Sequence, residues 1–513
     1  MKKYYLILIF IVANTYSQNF QWVDFPPVSF GLSTNNLGYS ITADFSGNVY
    51  AVGFKNNYFL SSEIYGNLFY RKYDASGTLI FDKEISGKIR SINLTNDNVG
   101  NIYLVAAFKN TITFDGGGSI NTSGTNEEII IIKFDQNGVF QWNNIISNFG
   151  SFNHCSAIAT DINNNLLIGF DNFNNSKILR LSSTTGNINL TIDQLNVQVI
   201  SSISVDNFNN IYAAGSCGKA TSTFAGVAQP TSLDYSIYAV KYNGNGVHNW
   251  TRYAQDISCY DPIISAKTAD NVYLSSSLSG AFAFGSLTAQ GPASGFSDDI
   301  FITKLNANGD FVWLREVYGT GKAFIGNRNF MTSDSSGNVY FAGSTKSSTV
   351  WSPIISTVVT GFNADALILK YNSNGNILMA KTAGGNLTDS CDGIVIGDNG
   401  NIFVAGITNG PSSFDSFSYA GGKSPFIAKI GNSLNINGNN NLKKISIYPN
   451  PANNEIYFSN LESKTNGFIY NSIGQKVKVF EIENNSSISI IELTTGIYFL
   501  KLDGFLSEKF MKN

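Results

Sequence analysis

Any histidine chemistry in this 513-residue chain must run through His154 or His248, because the chain has no others. A Ser–His–Asp triad would pair one of them with a serine on a sharp nucleophile turn, and no G-x-S-x-G stretch supplies it. Two histidines are also too few for a histidine-based metal cluster. His248 falls on the closing strand of a repeat, where a solvent-facing edge residue is ordinary. His154, in "FNHCSAI", stands where an innermost strand begins. Asp261, Arg328 and Asp392 stand at comparable places in other repeats, so a closed ring would bring all four to one channel mouth. Two carboxylates there could support glycoside hydrolysis, and their separation would decide whether they cooperate.

Metal and redox chemistry find less support. "DINNN" and "NSNGN" alternate oxygen side chains as a calcium loop does, but no closing bidentate Glu follows at the right distance. Tight-turn chemistry accounts for the same residues without a metal. Cys155, Cys259 and Cys391 each precede an innermost strand of non-adjacent repeats, too far apart to bridge, and read as packing residues. No CxxC spacing occurs, and no cofactor or metal is expected.

The elements that position these residues come from one repeated phrase. "DFSGNVYAVGF" at 44–54 returns at 97–108, 161–170, 206–216, 267–277, 334–344 and 398–407, making seven copies. Their Asn positions (48, 101, 165, 210, 271, 338, 401) lie 45 to 67 residues apart, a period that suits a four-stranded propeller blade. Each copy runs from an apolar strand through Asp, Asn and Gly into an aliphatic and aromatic strand, as in a tight hairpin. A second phrase alternates with it, for example "FYRKYDASG" at 69–77 and "YAVKYNGNG" at 238–246, and leads into a strand that often carries Trp four residues after the Gly. The seventh repeat lacks that last strand, while "QNFQWVDF" at 18–25 is such a strand without a partner. The predicted fold is therefore all-β: a seven-bladed β-propeller closed by its N-terminal strand, over 18–434. The phrases "DxxGNVYxxG" and K-[YFL]-[ND]-x-x-G resemble the SBBP-type β-propeller repeat of exported bacterial proteins, which implies a propeller and no particular activity.

Bulk properties agree with export. Residues 1–17 carry Lys2 and Lys3, an apolar run at 4–13 and small residues before Gln18, the pattern of a secretory signal. The net charge of −3 with no internal basic cluster argues against a nucleic-acid partner. Residues 435–442 are a polar linker, and 443–513 alternate apolar and turn residues as a small β-sandwich does. In that module Pro449-Asn450-Pro451, Gly474-Gln475-Lys476-Val477, and Gly496-Ile497-Tyr498 leading to Lys501-Leu502 resemble the type A sorting domain of the type IX secretion system. The resemblance implies handling by that machinery, and release or attachment to surface lipopolysaccharide.

The links from second to third strand are long and all emerge on one face. They carry Phe114, Phe224, Phe282, Trp351, Phe414 and Tyr419. These aromatics either tuck under their own loops or form a recognition face for a glycan or protein. The expected function is binding or adhesion through that face. The alternative is a carbohydrate-active enzyme using the channel-mouth acids.

Overall fold

The computed structural model describes residues 18–27, 39–60, 63–115, 118–122, 126–146, 154–218, 220–231, 236–255, 262–291, 299–317, 321–359, 361–397, 400–432, 445–459, 461, 464–471, 476–502 and 508–513. The expected export signal, the linker, Asp261 and Gly474 lie outside the described residues. Every regular element among them is a β-strand. The chain divides into two compact units, Ser17–Asn432 and Ser433–Asn513 (with Met1–Tyr16 grouped to the latter), and each is described by itself.

The larger unit is built on one turn. Asp206 Oδ1 accepts the backbone N–H groups of Phe208 and Asn210, both at 2.9 Å. Its Oδ2 accepts the Asn210 amide at 2.8 Å and the Tyr212 hydroxyl at 2.9 Å. A single carboxylate thus satisfies four donors in a space closed to water, which explains why Asp, Asn and Tyr recur at fixed spacing. Asp44 and Asp97 repeat the arrangement with Tyr50 and Tyr103. At Asp161 the tyrosine is missing because Leu167 stands there, and three bonds remain.

From this turn the chain runs in antiparallel sheets, three of them of four strands and the larger ones joining neighbouring repeats. Val199–Val205, Ile211–Cys217, Ser236–Tyr242 and His248–Gln255 form one in that order. Ile263–Thr268, Asn271–Leu278, Asp299–Leu305 and Phe311–Glu316 form the next. Across four of the central strand pairs a lysine faces the tyrosine: Lys72, Lys133, Lys241 and Lys370 lie over Tyr50, Tyr103, Tyr212 and Tyr340 at 5.1 to 5.6 Å. The lysine tip then reaches a turn carbonyl of the neighbouring sheet, as in Lys72 to Gln136 (2.9 Å) and Lys133 to Ser183 (2.7 Å). Burial lowers the affinity of both ammonium groups for their protons, partly offset by Asp44 and Asp135 for Lys72 and by Asp97 for Lys133.

The N-terminal strand Gln18–Asp24 pairs antiparallel with Ser424–Asn432, outside Ile402–Thr408 and Ser390–Ile396. Lys429 Nζ, in that sheet, donates to the Ala75 carbonyl at 2.9 Å, as the other lysines do to their neighbours. The innermost strands follow one another side by side: Ser40–Ala43, the end of Leu79–Asn96, His154–Thr160, Val199–Val205, Ile263–Thr268, Met331–Ser333 and Ser390–Ile396, the last packing on the first.

Three features depart from the simple repeat. Leu79–Asn96 is a single strand that ends one sheet and begins the next, so these two sheets are continuous. The sixth inner strand is split into Lys322–Ile325 and Met331–Ser333, both paired with Val339–Lys346. The long second-to-third links fold into small hairpins, such as Thr223–Phe224 with Val227–Ala228 and Ser412–Phe414 with Phe417–Tyr419.

In the smaller unit Ser446–Tyr448, Glu455–Ser459 and Ser487–Ser489 form one sheet. Lys476–Ile482, Thr465–Asn471, Gly496–Leu502 and Glu508–Lys512 form the other, in that order. They share a core that includes Ile456, Phe458, Ile469, Leu500 and Phe510. The motif residues do structural work here. Asn450 donates to the Lys509 carbonyl (2.9 Å) and accepts from the Met511 N–H (3.0 Å), fixing the loop of Pro449 and Pro451 to the last strand. Tyr498 stacks on Phe510 at 5.6 Å and donates to the Thr494 carbonyl at 2.8 Å, two residues before Gly496.

Candidate functional site

The innermost strands enclose a cavity of about 650 Å³ to which each of the seven contributes residues. Short polar side chains, among them Ser40, Thr42, Asn93, Ser202, Ser204 and Ser265, alternate around its wall with aliphatic ones such as Ile41, Ile158 and Ile264. The polar groups stitch neighbouring strands together, because adjacent inner strands are not paired with one another in a backbone ladder. Ser202 Oγ donates to the Ile264 carbonyl (3.3 Å) and accepts from the Ile264 N–H (3.1 Å). Ser204 does the same with Ala266 at 3.1 and 2.9 Å. Ser265 meets Ser333 at 2.8 Å, and Ser40 accepts from the Leu94 N–H at 2.9 Å. A hydroxyl that both donates and accepts can replace a missing backbone partner, which is why serine and threonine recur at these positions.

The split in the sixth inner strand gives the wall its most distinctive part. Residues 326–330 stand out of the strand and line the cavity, and Arg328 is among them. The segment is anchored to the next sheet: Asn327 Nδ2 donates to Asp392 Oδ1 at 2.8 Å, the Arg328 N–H to the Asp392 carbonyl at 2.9 Å, and the Ile394 N–H to the Asn329 carbonyl at 2.9 Å. Burial pushes the Asp392 carboxyl up to about 6, against the opposing pull of the Asn327 amide and the Arg328 charge.

This geometry changes the reading of the channel-mouth residues. Asp392 is fully buried behind the Arg328 segment and is not among the cavity-lining residues, so it is not an open acid at a mouth. Its role in the structure is to hold that segment. His154 begins its inner strand opposite Asp171, and its side chain lies outside the described part, as does Asp261. Of the four, Arg328 is placed on the cavity wall. His248, on an outer strand, meets Thr251 Oγ1 at 2.9 Å and packs edge-on against Tyr242. Burial lowers the His248 pKa.

The loop aromatics are also corrected. Phe114, Phe224, Trp351 and Phe414 are buried, so they cannot act as a stacking platform. Each closes the core beneath its hairpin. Phe224 meets Tyr238 edge-on at 5.0 Å, and Phe414 meets Phe426 at 4.8 Å. Phe282 and Tyr419 are half-buried, and Tyr419 stacks on Phe25 at 4.3 Å. The apolar side chains that stand in solvent on these links include Ile354 and Phe362, exposed by 91% and 94%. Single exposed residues outside any periodic pattern leave no trace that sequence reasoning can use.

The turn oxygens that resembled calcium ligands accept hydrogen bonds from their own turns, as Asn372 Oδ1 does from Asn374 and Asn376 N–H groups at 3.0 Å. Among the described residues no three His, Cys, Asp or Glu side chains cluster as metal ligands would.

Residues 446–512 match the Secretion system C-terminal sorting domain family. The protein is thus exported across the outer membrane, to the cell surface or the extracellular space, through the type IX machinery that handles this domain. No curated protein matches the chain. Among solved structures, virginiamycin B lyase from Staphylococcus aureus, in a catalytically inactive form with quinupristin, is 12% identical. The match covers 79% of this chain and 99% of that one, with a TM-score of 0.40. The Dos1 propeller is 11% identical over 81% of this chain and 95% of its own, with a TM-score of 0.37. A protein of unknown function from Dyadobacter fermentans is 12% identical over 67% and 94%, with a TM-score of 0.36. These likenesses are too loose to carry activity or ligand to this chain.

Proposed function

We propose that the chain is an exported binding module: a seven-bladed β-propeller of SBBP-like repeats, closed by its N-terminal strand, that takes a polar ligand such as a glycan segment at its central cavity. The observation that carries this reading is the cavity itself, about 650 Å³ with a hydroxyl- and amide-rich wall and the Arg328 segment set into it. A rigid polar recess suits recognition of polyhydroxylated ligands. The pairing of Gln18–Asp24 with Ser424–Asn432 supports closure, and the succession of inner strands supports the blade count. In this reading residues 1–17 direct export, 18–434 bind, 435–442 link, and 443–513 are sorted, after which the protein is released or attached to lipopolysaccharide.

The test is retention of purified 18–434 on a panel of immobilised polysaccharides, with soluble sugars assayed in the same samples. Retention without released sugar, weakened about tenfold by Arg328→Ala, is the expected result, since a charged hydrogen bond contributes roughly 1.5–3 kcal/mol. Released oligosaccharides would replace the binding reading with an enzymatic one. No retention on any member of the panel would remove the glycan.

A further inference from the structure

The sorting unit turns an apolar sheet face to solvent, and the register shows that this face is continuous. In Gly496–Leu502 the residues alternate: Tyr498, Leu500 and Leu502 enter the core, while Ile497, Phe499 and Lys501 point outward. Phe468 lies opposite both Val479 and Lys501, Phe499 opposite both Tyr470 and Lys509, and Ile497 opposite Met511. Val479, Ile497, Phe499 and Met511 are exposed by 41% or more. A solvated sheet face normally carries polar residues, so four strands contributing adjacent apolar side chains mark a surface that is covered at some stage.

Among the described residues, the charges around it that form no ion pair are basic. The Lys476 ammonium sits over the Phe468 ring at 4.5 Å, and Lys501 and Lys509 close two of the cross-strand rows. None of the three forms an ion pair among the described residues, whereas Glu481 on the same strand as Val479 is paired with Lys464 at 2.5 Å.

We propose that this face, with Phe468, Val479, Ile497 and Phe499 at its centre and Lys476, Lys501 and Lys509 around it, is the surface by which the type IX machinery engages the sorting domain. The occupant is a protein component of that machinery presenting an apolar patch rimmed by carboxylates. The match of residues 446–512 to a sorting domain means that this unit meets such a component, and the opposite side of the sheet is consumed by the unit's own core. Outward residues of Gly496–Leu502 contribute nothing to that core, so their apolar and basic character has its use outside the fold.

The test is export of the full chain from a bacterium that has this secretion system. Val479→Ser with Phe499→Ser, and separately Lys501→Glu with Lys509→Glu, should each lower the amount outside the cell at least tenfold, with accumulation in the periplasm. Phe208→Ser with Val99→Ser, more exposed apolar positions on the larger unit, should be exported as the parent is. Melting of the purified chains distinguishes lost recognition from lost folding, because these side chains lie outside the core. Parent-like export of both face variants would overturn the proposal. So would a loss of self-association by light scattering with export unchanged, which would make the face a contact between copies.

Discussion

The indole of Trp22 lies across Gly77, so close that a β-carbon on that glycine would fall 2.6 Å from the ring. Trp142 takes the same position over Gly186, Trp250 over Gly309 and Trp313 over Gly375. The tryptophan of an outer strand therefore caps the turn glycine of the neighbouring sheet, and Trp22 does so from the N-terminal strand. Trp22→Ala should destabilise the larger unit by about 3–5 kcal/mol, the range for deleting a buried aromatic. Gly77→Ala should also destabilise, because its φ of 88° is left-handed and the indole occupies the space. Denaturant unfolding of both variants is the check. A loss from Trp22→Ala no larger than that of an exposed residue would show that the N-terminal strand contributes little.

Asp206 offers a second test of the repeat. Its carboxylate accepts four hydrogen bonds, so Asp206→Ala strands several donors and should cost roughly 2–4 kcal/mol. Asp161→Ala should cost less, because Leu167 leaves no tyrosine hydroxyl to strand. Equal losses would mean that the tyrosine contact adds nothing.

How much of this was readable follows from periodicity. The hairpin turns were legible because Asp, Asn and Tyr must sit four and six residues apart for one carboxylate to reach all their donors. The Trp strand was legible because its indole needs a glycine to lie on. The cavity wall was not, although its signal is present in "ISSISV" and "IISAKT", where hydroxyls alternate with aliphatics. Such alternation reads equally as an ordinary half-buried strand until the neighbouring strand is known. Asp392 misled for a related reason: an acid near an inner-strand start reads as a mouth residue, and the split strand that buries it has no periodic signature.

Ser202 tests the hydroxyl seam between inner strands. Ser202→Ala removes a group that both donates to and accepts from Ile264, leaving a buried N–H without a partner. A loss of about 1–3 kcal/mol is expected, and Ser202→Thr should recover part of it by restoring the hydroxyl. The unfolding midpoint measures both. Failure of the threonine to improve on alanine would point to packing in place of hydrogen bonding.

Asp299 carries the pH dependence. Burial pushes its carboxyl up to about 7, opposed by the Val317 and Ile300 N–H groups and reinforced by Glu316. An unfolded aspartate titrates near 4, so between about pH 4 and 7 the folded chain holds a proton that the unfolded chain has lost. Stability from this group is therefore full below about pH 4 and falls as pH rises through about 7. Asp299→Asn keeps an oxygen that can accept from Ile300 and Val317 and removes the titration. Its melting temperature should match the parent's near pH 4 and exceed it by several degrees at pH 8. The parent's remaining slope would come partly from Asp392, whose carboxyl is pushed up to about 6 by burial. Parallel melting curves for parent and variant across pH 4 to 8 would remove Asp299 as a source of the pH dependence.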